Sequence, residues 1–332
     1  MGGNSEERDV SLSSGAQVAA ALREAGHDVV AVDTTRGVLP RDEEQALLES
    51  GVRALPPARD ALDIMDTGDT TALTKDPQVA DAEVFFLALH GGAGEDGTLQ
   101  ALLDLVGVPY TGSGMLGCAL SMDKEVTKRL LRDAGIPTPD WLVGPGISAS
   151  EVAEHLGVPV IVKAARGGSS LRLRLAHDVH ELEEAVDEAD GFDDRVIYER
   201  YVTGREFTVS VLGDEALPVG EIIPVNELFD YESKYQPGMA QEIFPADIPP
   251  DLTGRLQTMA LEVHGLLRME QLSRVDFLVD EEGSPWCLEA NALPGMTANS
   301  LLPKAAKAAG TGFPELCDRI ARRALEARRR PR

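Results

Sequence analysis

Two strand-like runs, Arg274–Asp280 and Pro285–Asn291, flank the turn-rich tetrad Glu281-Glu282-Gly283-Ser284. That spacing predicts a β-hairpin closed by a four-residue loop. In this register Asp276 faces Glu289 and Arg274 faces Asn291. Strand side chains alternate, so all four residues share one face of the sheet. Carboxylates placed opposite one another repel and destabilise a sheet. A divalent cation removes that penalty, and an Asp/Glu/Asn oxygen set suits Mg²⁺ held partly by substrate phosphates. Asp276, Glu289 and Asn291 are therefore candidate metal ligands, and the outline is that of a metal–nucleotide site.

The remainder of the chain must supply the nucleotide's other contacts. At 332 residues it exceeds one ordinary core, so two or three domains are expected. A net charge of −25 argues against nucleic-acid binding, which needs a cationic footprint, and against anionic membrane surfaces. No apolar run approaches spanning length, and the first ten residues, MGGNSEERDV, carry no signal-peptide core. Cys118, Cys287 and Cys317 are odd in number and widely spaced, which fits free thiols in a reducing cytoplasm.

The first third alternates helix and strand patterns, as an α/β domain does. Ser14–Ala25 reads as a helix ended by Gly26, Val29–Val32 and Val84–Leu89 as buried parallel strands, and Thr98–Val106 as a helix before a strand at Val108–Tyr110. Such a domain normally opens with an apolar strand, yet Gly2-Gly3 follow Met1 directly. Either a first strand is encoded upstream of this Met, which is the favoured expectation, or the sheet lacks its central strand, which would strip the flanking strands of ladder hydrogen bonds. A second unit has a helix at Asp123–Ala134, a strand at Val158–Lys163, a helix at Asp178–Ala189 and a strand at Val196–Tyr201. A hairpin follows, Glu206–Leu212 with Ala216–Ile223, and Asn226–Gln241 has the composition of a functional lid.

Lys163 ends an apolar strand, and Gly168-Ser169-Ser170 beyond it offers N–H and hydroxyl groups suited to phosphates. Taken alone, a Gly/Ser loop is an ordinary turn, and Lys124 an ordinary surface lysine at a helix start. Glu199 and Glu206 flank Tyr201-Val202-Thr203-Gly204, where carboxylates suit an adenine amino group and ribose hydroxyls; a charged edge strand is an equal reading. A lone histidine is usually structural, but His90 ends the Phe85–Leu89 run and opens into Gly91-Gly92, where a ligand-facing histidine would sit.

In order, the blocks GGNSEERDVSL, ALHGGAGEDGTLQ, PYTGSG, SMDK, VIVK, YER, EFTV, YESKY, RVD and LEANALPGMT run along nearly the whole chain. Together they resemble the D-alanine–D-alanine ligase family of ATP-grasp enzymes. The resemblance implies an N-terminal Rossmann-like α/β domain over residues 1–112, and two α+β ATP-grasp subdomains over 113–203 and 204–332. It implies ATP with two Mg²⁺ (or Mn²⁺) ions on Asp276, Glu289 and Asn291. Lys124 and Lys163 would meet ATP phosphates, and Glu199 and Glu206 would hold the adenosine. Glu7, Ser169 and Tyr235 would form a hydrogen-bonded triad closing over the first D-alanine, with His90 beside its carboxyl. Arg274 and the Gly295 N–H would stabilise an oxyanion, while Lys234, Ser300 and Leu301 would seat the second D-alanine. The Lys234-Tyr235 pair looks like the dipeptide-forming type. A cytoplasmic homodimer serving peptidoglycan synthesis is implied.

Three departures stand against the family pattern. Ala164 replaces a proline, Arg172 replaces a glycine beside the phosphate loop with Gly167 at a position often acidic, and Ala292-Leu293 replaces a threonine-containing pair. They keep open a ligase with a different second substrate, or a non-catalytic nucleotide-binding relative.

Overall fold

The computed structural model describes residues 1–52, 57, 62, 76–144, 146–168, 173–189, 195–228, 234, 236 and 238–329. The N-terminal part begins with α1 (Arg8–Glu24), whose Ala-rich core turns pack Val18, Ala21 and Leu22 inward. It starts six residues before the predicted helix, because Arg8–Ser13 continue the same buried face; Gly26 beyond its end has φ +92°, as a helix terminator requires. Then come β1 (Val32–Asp33), β2 (Gly37–Val38), α2 (Arg41–Ser50), α3 (Thr98–Val106), α4 (Met115–Met122) and α5 (Lys124–Asp133).

The predicted parallel strands at Val29–Val32 and Val84–Leu89 are a correction. The first contributes only Val32 to β1, which pairs antiparallel with β2, and the second makes a single parallel bridge, Phe85 with Tyr110. Both chains are extended, but a strand requires a neighbour on which to close its ladder. Between them, bounded also by α1 and α3, lies a cavity of about 520 Å³. Met1 sits at one end of it: its ammonium donates to the Val32 carbonyl at 2.9 Å and its carbonyl accepts from Thr34 N–H at 3.1 Å.

The middle of the chain builds a four-stranded antiparallel sheet in the order β3-β6-β4-β5, from β3 (Trp141–Val143), β4 (Val160–Ala164), β5 (Arg174–Ala176) and β6 (Val196–Arg200). Helices α6 (Ala149–Leu156) and α7 (Val179–Ala189) cover one face through Val152, Leu182 and Ala185. Next come β7 (Gly204–Leu212), β8 (Glu215–Ala216), β9 (Gly220–Pro224) and β10 (Ala240–Ile243), then α8 (Pro250–Leu266), β11 (Leu272–Asp280), β12 (Pro285–Asn291), α9 (Leu301–Ala308) and α10 (Phe313–Arg329). The large sheet runs β10-β9-β7-β11-β12, with β8 on β7. The expected second strand of the Glu206–Leu212 hairpin is split, since Leu217 and Val219 turn into the core between β8 and β9.

Phe207, Val209 and Val211 of β7 and Val275 and Phe277 of β11 point one way and pack on α8. Alternation then commits their neighbours to the opposite face, and those include the polar Glu206, Thr208, Ser210, Arg274 and Asp276. The three cysteines are free and buried, and burial raises each thiol, Cys317 to about 12.

Candidate active site

The predicted hairpin register is observed: Asp276 pairs with Glu289 and Arg274 with Asn291. A β-bulge after Asp276 shifts the remaining pairs by one residue, so Val279 rather than Asp280 meets Pro285. On the other side of β11, Thr208 opposes Asp276 and Glu206 opposes Leu278. Glu206, Thr208, Arg274, Asp276, Glu289 and Asn291 therefore share one face of three adjacent strands.

Asp276 is densely held on that face. Arg274 Nε donates to Oδ1 at 2.9 Å and Nη2 to Oδ2 at 2.7 Å, Thr208 Oγ1 donates to Oδ1 at 2.7 Å, and Asn291 Nδ2 reaches Oδ2 at 3.3 Å. Burial would raise the Glu289 carboxyl, but the charges of Lys234, Lys124, Arg274 and Lys163 hold it down at about 2. Glu206 is pushed up to about 8, by burial first and then by the Asp276 charge. Two facing carboxylates and a carboxamide fit a hard divalent cation in chemistry. Cationic side chains serve as their counter-charges in this arrangement.

A cavity of about 380 Å³ lies between the two sheets, lined by Lys163, Glu199, Glu206, Ile222 and Asp276 among others. A smaller one of about 70 Å³ adjoins it, lined by Glu7, His90, Glu95, Arg274, Asn291 and Gly295. Lys124, Gly167, Gly168, Lys234 and Glu289 border both. Lys124 follows the helix-capping Asp123 and is anchored at both ends: its N–H donates to Ala165 O at 2.9 Å and its Nζ to Gly167 O at 2.5 Å. Burial lowers its ammonium, partly offset by the Glu289 charge.

Glu7 occupies the N-cap of α1 without capping it. Its carboxylate is buried against two glycines instead. A Cβ added at Gly91 would stand 2.6 Å from Glu7 Oε2, and one at Gly168 2.5 Å. Only residues lacking a side chain allow that approach, and Gly91, at φ +65°, also needs glycine for its backbone. His90 is buried between Ser14 Oγ and the Leu293 carbonyl, each 3.2 Å away. A carbonyl can only accept, so Nδ1 carries the proton and Nε2 accepts from Ser14. Burial and the Arg274 charge lower this imidazole to about 4, so it is neutral.

Not every predicted site residue lines the cavities. Ser300 stands at the N-cap of α9, outside the cavities, and its side chain turns back from the helix: its Oγ lies 2.8 Å from Thr297 Oγ1 and accepts from Thr297 N–H at 3.1 Å, and Leu301 is buried behind it. Ser169, Tyr235 and Arg172 lie outside the described residues. The predicted set lacked Glu95, whose Oε2 accepts from Gly91 N–H at 2.9 Å and whose carboxyl is raised to about 8 by burial and by Glu7. Its place in the Gly94-Glu95-Asp96-Gly97 block was the available signal. Also absent was Arg8, which ties Gly3 O to Asp33 through an ion pair of 2.5 Å.

Two antiparallel sheets facing each other across a nucleotide-sized cleft, preceded by an α/β unit, make this an ATP-grasp protein. Residues 1–113 match the family model described as D-ala D-ala ligase N-terminus, and residues 130–322 the one described as D-ala D-ala ligase C-terminus. The chain belongs to the D-alanine–D-alanine ligase family. It is 40% identical over 322 residues to the D-alanine–D-alanine ligase of Geobacter sulfurreducens, covering 96% of this chain and 91% of that one. Against the Moorella thermoacetica ligase it is 37% identical, covering 98% of each. The crystal structure of the Bacillus anthracis ligase complexed with ATP superposes with a TM-score of 0.76 at 32% identity, covering 99% of this chain and 96% of that one. The Coxiella burnetii ligase gives the same TM-score at 26% identity, covering 98% and 94%.

Proposed function

We propose that this chain uses ATP to join two D-alanines into D-alanyl-D-alanine through a D-alanyl phosphate, as a cytoplasmic homodimer supplying peptidoglycan precursors. The observation that carries this is the shared border of the two cavities. Lys124, Gly168, Lys234 and Glu289 stand where a phosphoryl group would cross from a nucleotide in the larger space to a carboxylate in the smaller. The reading keeps the division into residues 1–112, 113–203 and 204–332, with the cleft between the last two.

A carboxylate is a poor acyl donor because its leaving group would be oxide. In the first step a carboxylate oxygen of D-alanine attacks the γ-phosphorus, the bond to the β,γ-bridging oxygen breaks, and ADP leaves. Positioning and charge neutralisation dominate such a transfer, and Lys124 and Lys163 supply charge while Glu199 and Glu206 hold the nucleoside. Asp276, Glu289 and Asn291 would hold Mg²⁺ or Mn²⁺, which supplies further neutralisation of the phosphates. Glu7, with Ser169 and Tyr235, receives the first D-alanine's ammonium side, and neutral His90 sits by its carboxyl without adding charge.

In the second step the free amine of the other D-alanine attacks the acyl carbon, inorganic phosphate departs, and the nitrogen loses a proton. The tetrahedral oxyanion is met by Arg274 and the Gly295 N–H, a type of contact worth roughly 3–4 kcal/mol per donor. Lys234, which borders both cavities, would seat the second carboxylate, with Ser300 and Leu301 at the start of α9 behind the Gly295 wall. Acyl phosphates hydrolyse in water, so a lid formed by the segment Asn226–Gln241, part of which lies outside the described residues, would serve to exclude it.

The test is phosphate release from ATP with Mg²⁺, as a function of D-alanine, with the dipeptide identified by mass spectrometry. D-alanine-dependent release with stoichiometric dipeptide is expected. Release driven by another amino acid alone moves the reading to a different second substrate, and none with any D-amino acid overturns it.

A further inference from the structure

One charged group at the nucleotide cavity is held by a residue that cannot touch a nucleotide. Lys128 lies one helical turn beyond Lys124 on α5, is fully buried, and is on the wall of neither cavity. Its Nζ lies 2.6 Å from Glu199 Oε2 as an ion pair whose angle falls short of an aligned hydrogen bond. The same nitrogen donates to Thr138 Oγ1 at 2.7 Å and stands 5.0 Å from the centre of the Trp141 ring. Lys163, by contrast, does line the larger cavity, and reaches Glu199 Oε1 at 2.8 Å.

Glu199 thus sits between two lysines, one facing the cavity and one sealed behind it. An ionised carboxylate has about four lone-pair positions, so two cations leave it able to accept from a ligand. A phosphate arriving in the cavity would draw Lys163 away from Glu199, since both groups compete for one ammonium. Lys128 has no such alternative: its ammonium is enclosed by the Glu199 carboxylate, the Thr138 hydroxyl that accepts from it and the Trp141 face. Burying an ammonium is costly unless it is paired, and removing its partner leaves an unpaired charge. That cost is sustained here for a contact that survives when Lys163 turns to phosphate.

We propose that Lys128 is a positioning residue, acting through Glu199, which keeps that carboxylate an acceptor and so selects a purine bearing an exocyclic amine over one bearing a carbonyl. The inference rests on the nucleotide reading above. Adenine offers an N–H to an ionised carboxylate; hypoxanthine offers an oxygen, which only a protonated carboxyl could meet. A site built to hydrogen-bond a donor rejects the analogue lacking it strongly.

Steady-state kinetics with ATP and with ITP, on the wild type, Lys128→Met, Lys128→Arg and Thr138→Val, test this. Lys128→Met is expected to raise KM for ATP about tenfold, leave KM for D-alanine within about twofold, and shrink the ATP-over-ITP ratio of kcat/KM roughly fivefold or more. Lys128→Arg should recover part of the ratio, and Thr138→Val, a milder change that keeps the charge, should lower it about twofold. An unchanged ratio in both Lys128→Met and Thr138→Val overturns the proposal, as do KM values for ATP and D-alanine that rise together. If Lys128→Met does not fold, the ratio in Thr138→Val decides. A wild type that consumes no ATP with D-alanine sinks the ligase reading instead; calorimetric ATP and ITP binding to the same proteins then decides this one.

Discussion

Arg274 clasps Asp276 two residues along the same strand, with Nε 2.9 Å from one carboxylate oxygen and Nη2 2.7 Å from the other. The guanidinium expected to meet an oxyanion thus neutralises the carboxylate expected to bind a cation. The two roles are coupled, because a dication on Asp276 and Arg274 compete for the same oxygens.

Arg274→Ala should therefore separate them. Loss of the oxyanion donor should lower kcat by about 10²–10³. Magnesium binding in the absence of nucleotide, followed by calorimetry, should tighten, since a competitor is gone. A kcat near the wild-type value would remove Arg274 from the chemistry.

Glu289→Gln tests the facing carboxylate. Glu289 is held at about 2 by Lys234, Lys124 and Arg274, so it is ionised throughout the working range. Neutralising it while keeping its shape should raise the Mg²⁺ concentration needed for half-maximal activity by about tenfold or more. An unchanged metal requirement would exclude it as a ligand.

Glu95 makes stability depend on pH. Its carboxyl titrates at about 8 in the folded protein against 4.5 unfolded, raised by burial and by Glu7. Below 4.5 both states hold the proton and the group contributes nothing. Between 4.5 and 8 only the folded state holds it, so stability falls as pH rises, and the cost is complete above 8. Glu95→Gln, which keeps an acceptor for Gly91 N–H, should raise Tm by nothing at pH 4 and most at pH 8.5. The gain there should be on the order of a few kcal/mol. A pH-independent difference would contradict the burial of its charge.

Gly168→Ala probes the contact with Glu7. The added methyl would stand 2.5 Å from Glu7 Oε2, the mobile end of a side chain, so the carboxylate and not the backbone should yield. We expect Tm to change by about 2 °C or less and KM for D-alanine to rise about tenfold. Unaltered kinetics would show that Glu7 does not need this position.

Much of the site was legible along the chain because strand alternation is a local rule. Asp276, Glu289, Arg274 and Asn291 fall on one face whatever surrounds them, and residue spacing alone placed the pairs. The bulge beyond Asp276 was not legible: it leaves Leu288 of β12 unpaired while the β11–β7 register runs unbroken, and residue spacing alone does not say which position is skipped. Val29–Val32 and Val84–Leu89 read as strands from their apolar runs, yet a ladder depends on a neighbour that no run of residues specifies by itself.

What the sequence determined is the set of chemical groups and their order: a carboxylate-bearing hairpin, lysines at a helix start and a strand end, and glycines where backbone must approach closely. Tertiary structure alone decided which distant groups share an environment. Lys128 and Lys124 are both lysines on one helix, but packing against Trp141 and Glu199 seals the first and leaves the second at the cavities. Glu7 was picked out only through the family resemblance; what sets its carboxylate against Gly91 and Gly168 is the folded chain. The reason is physical: identity and alternation are properties of neighbours along the chain, whereas burial and charge pairing are set by residues that meet only once the sheets have closed on the cleft.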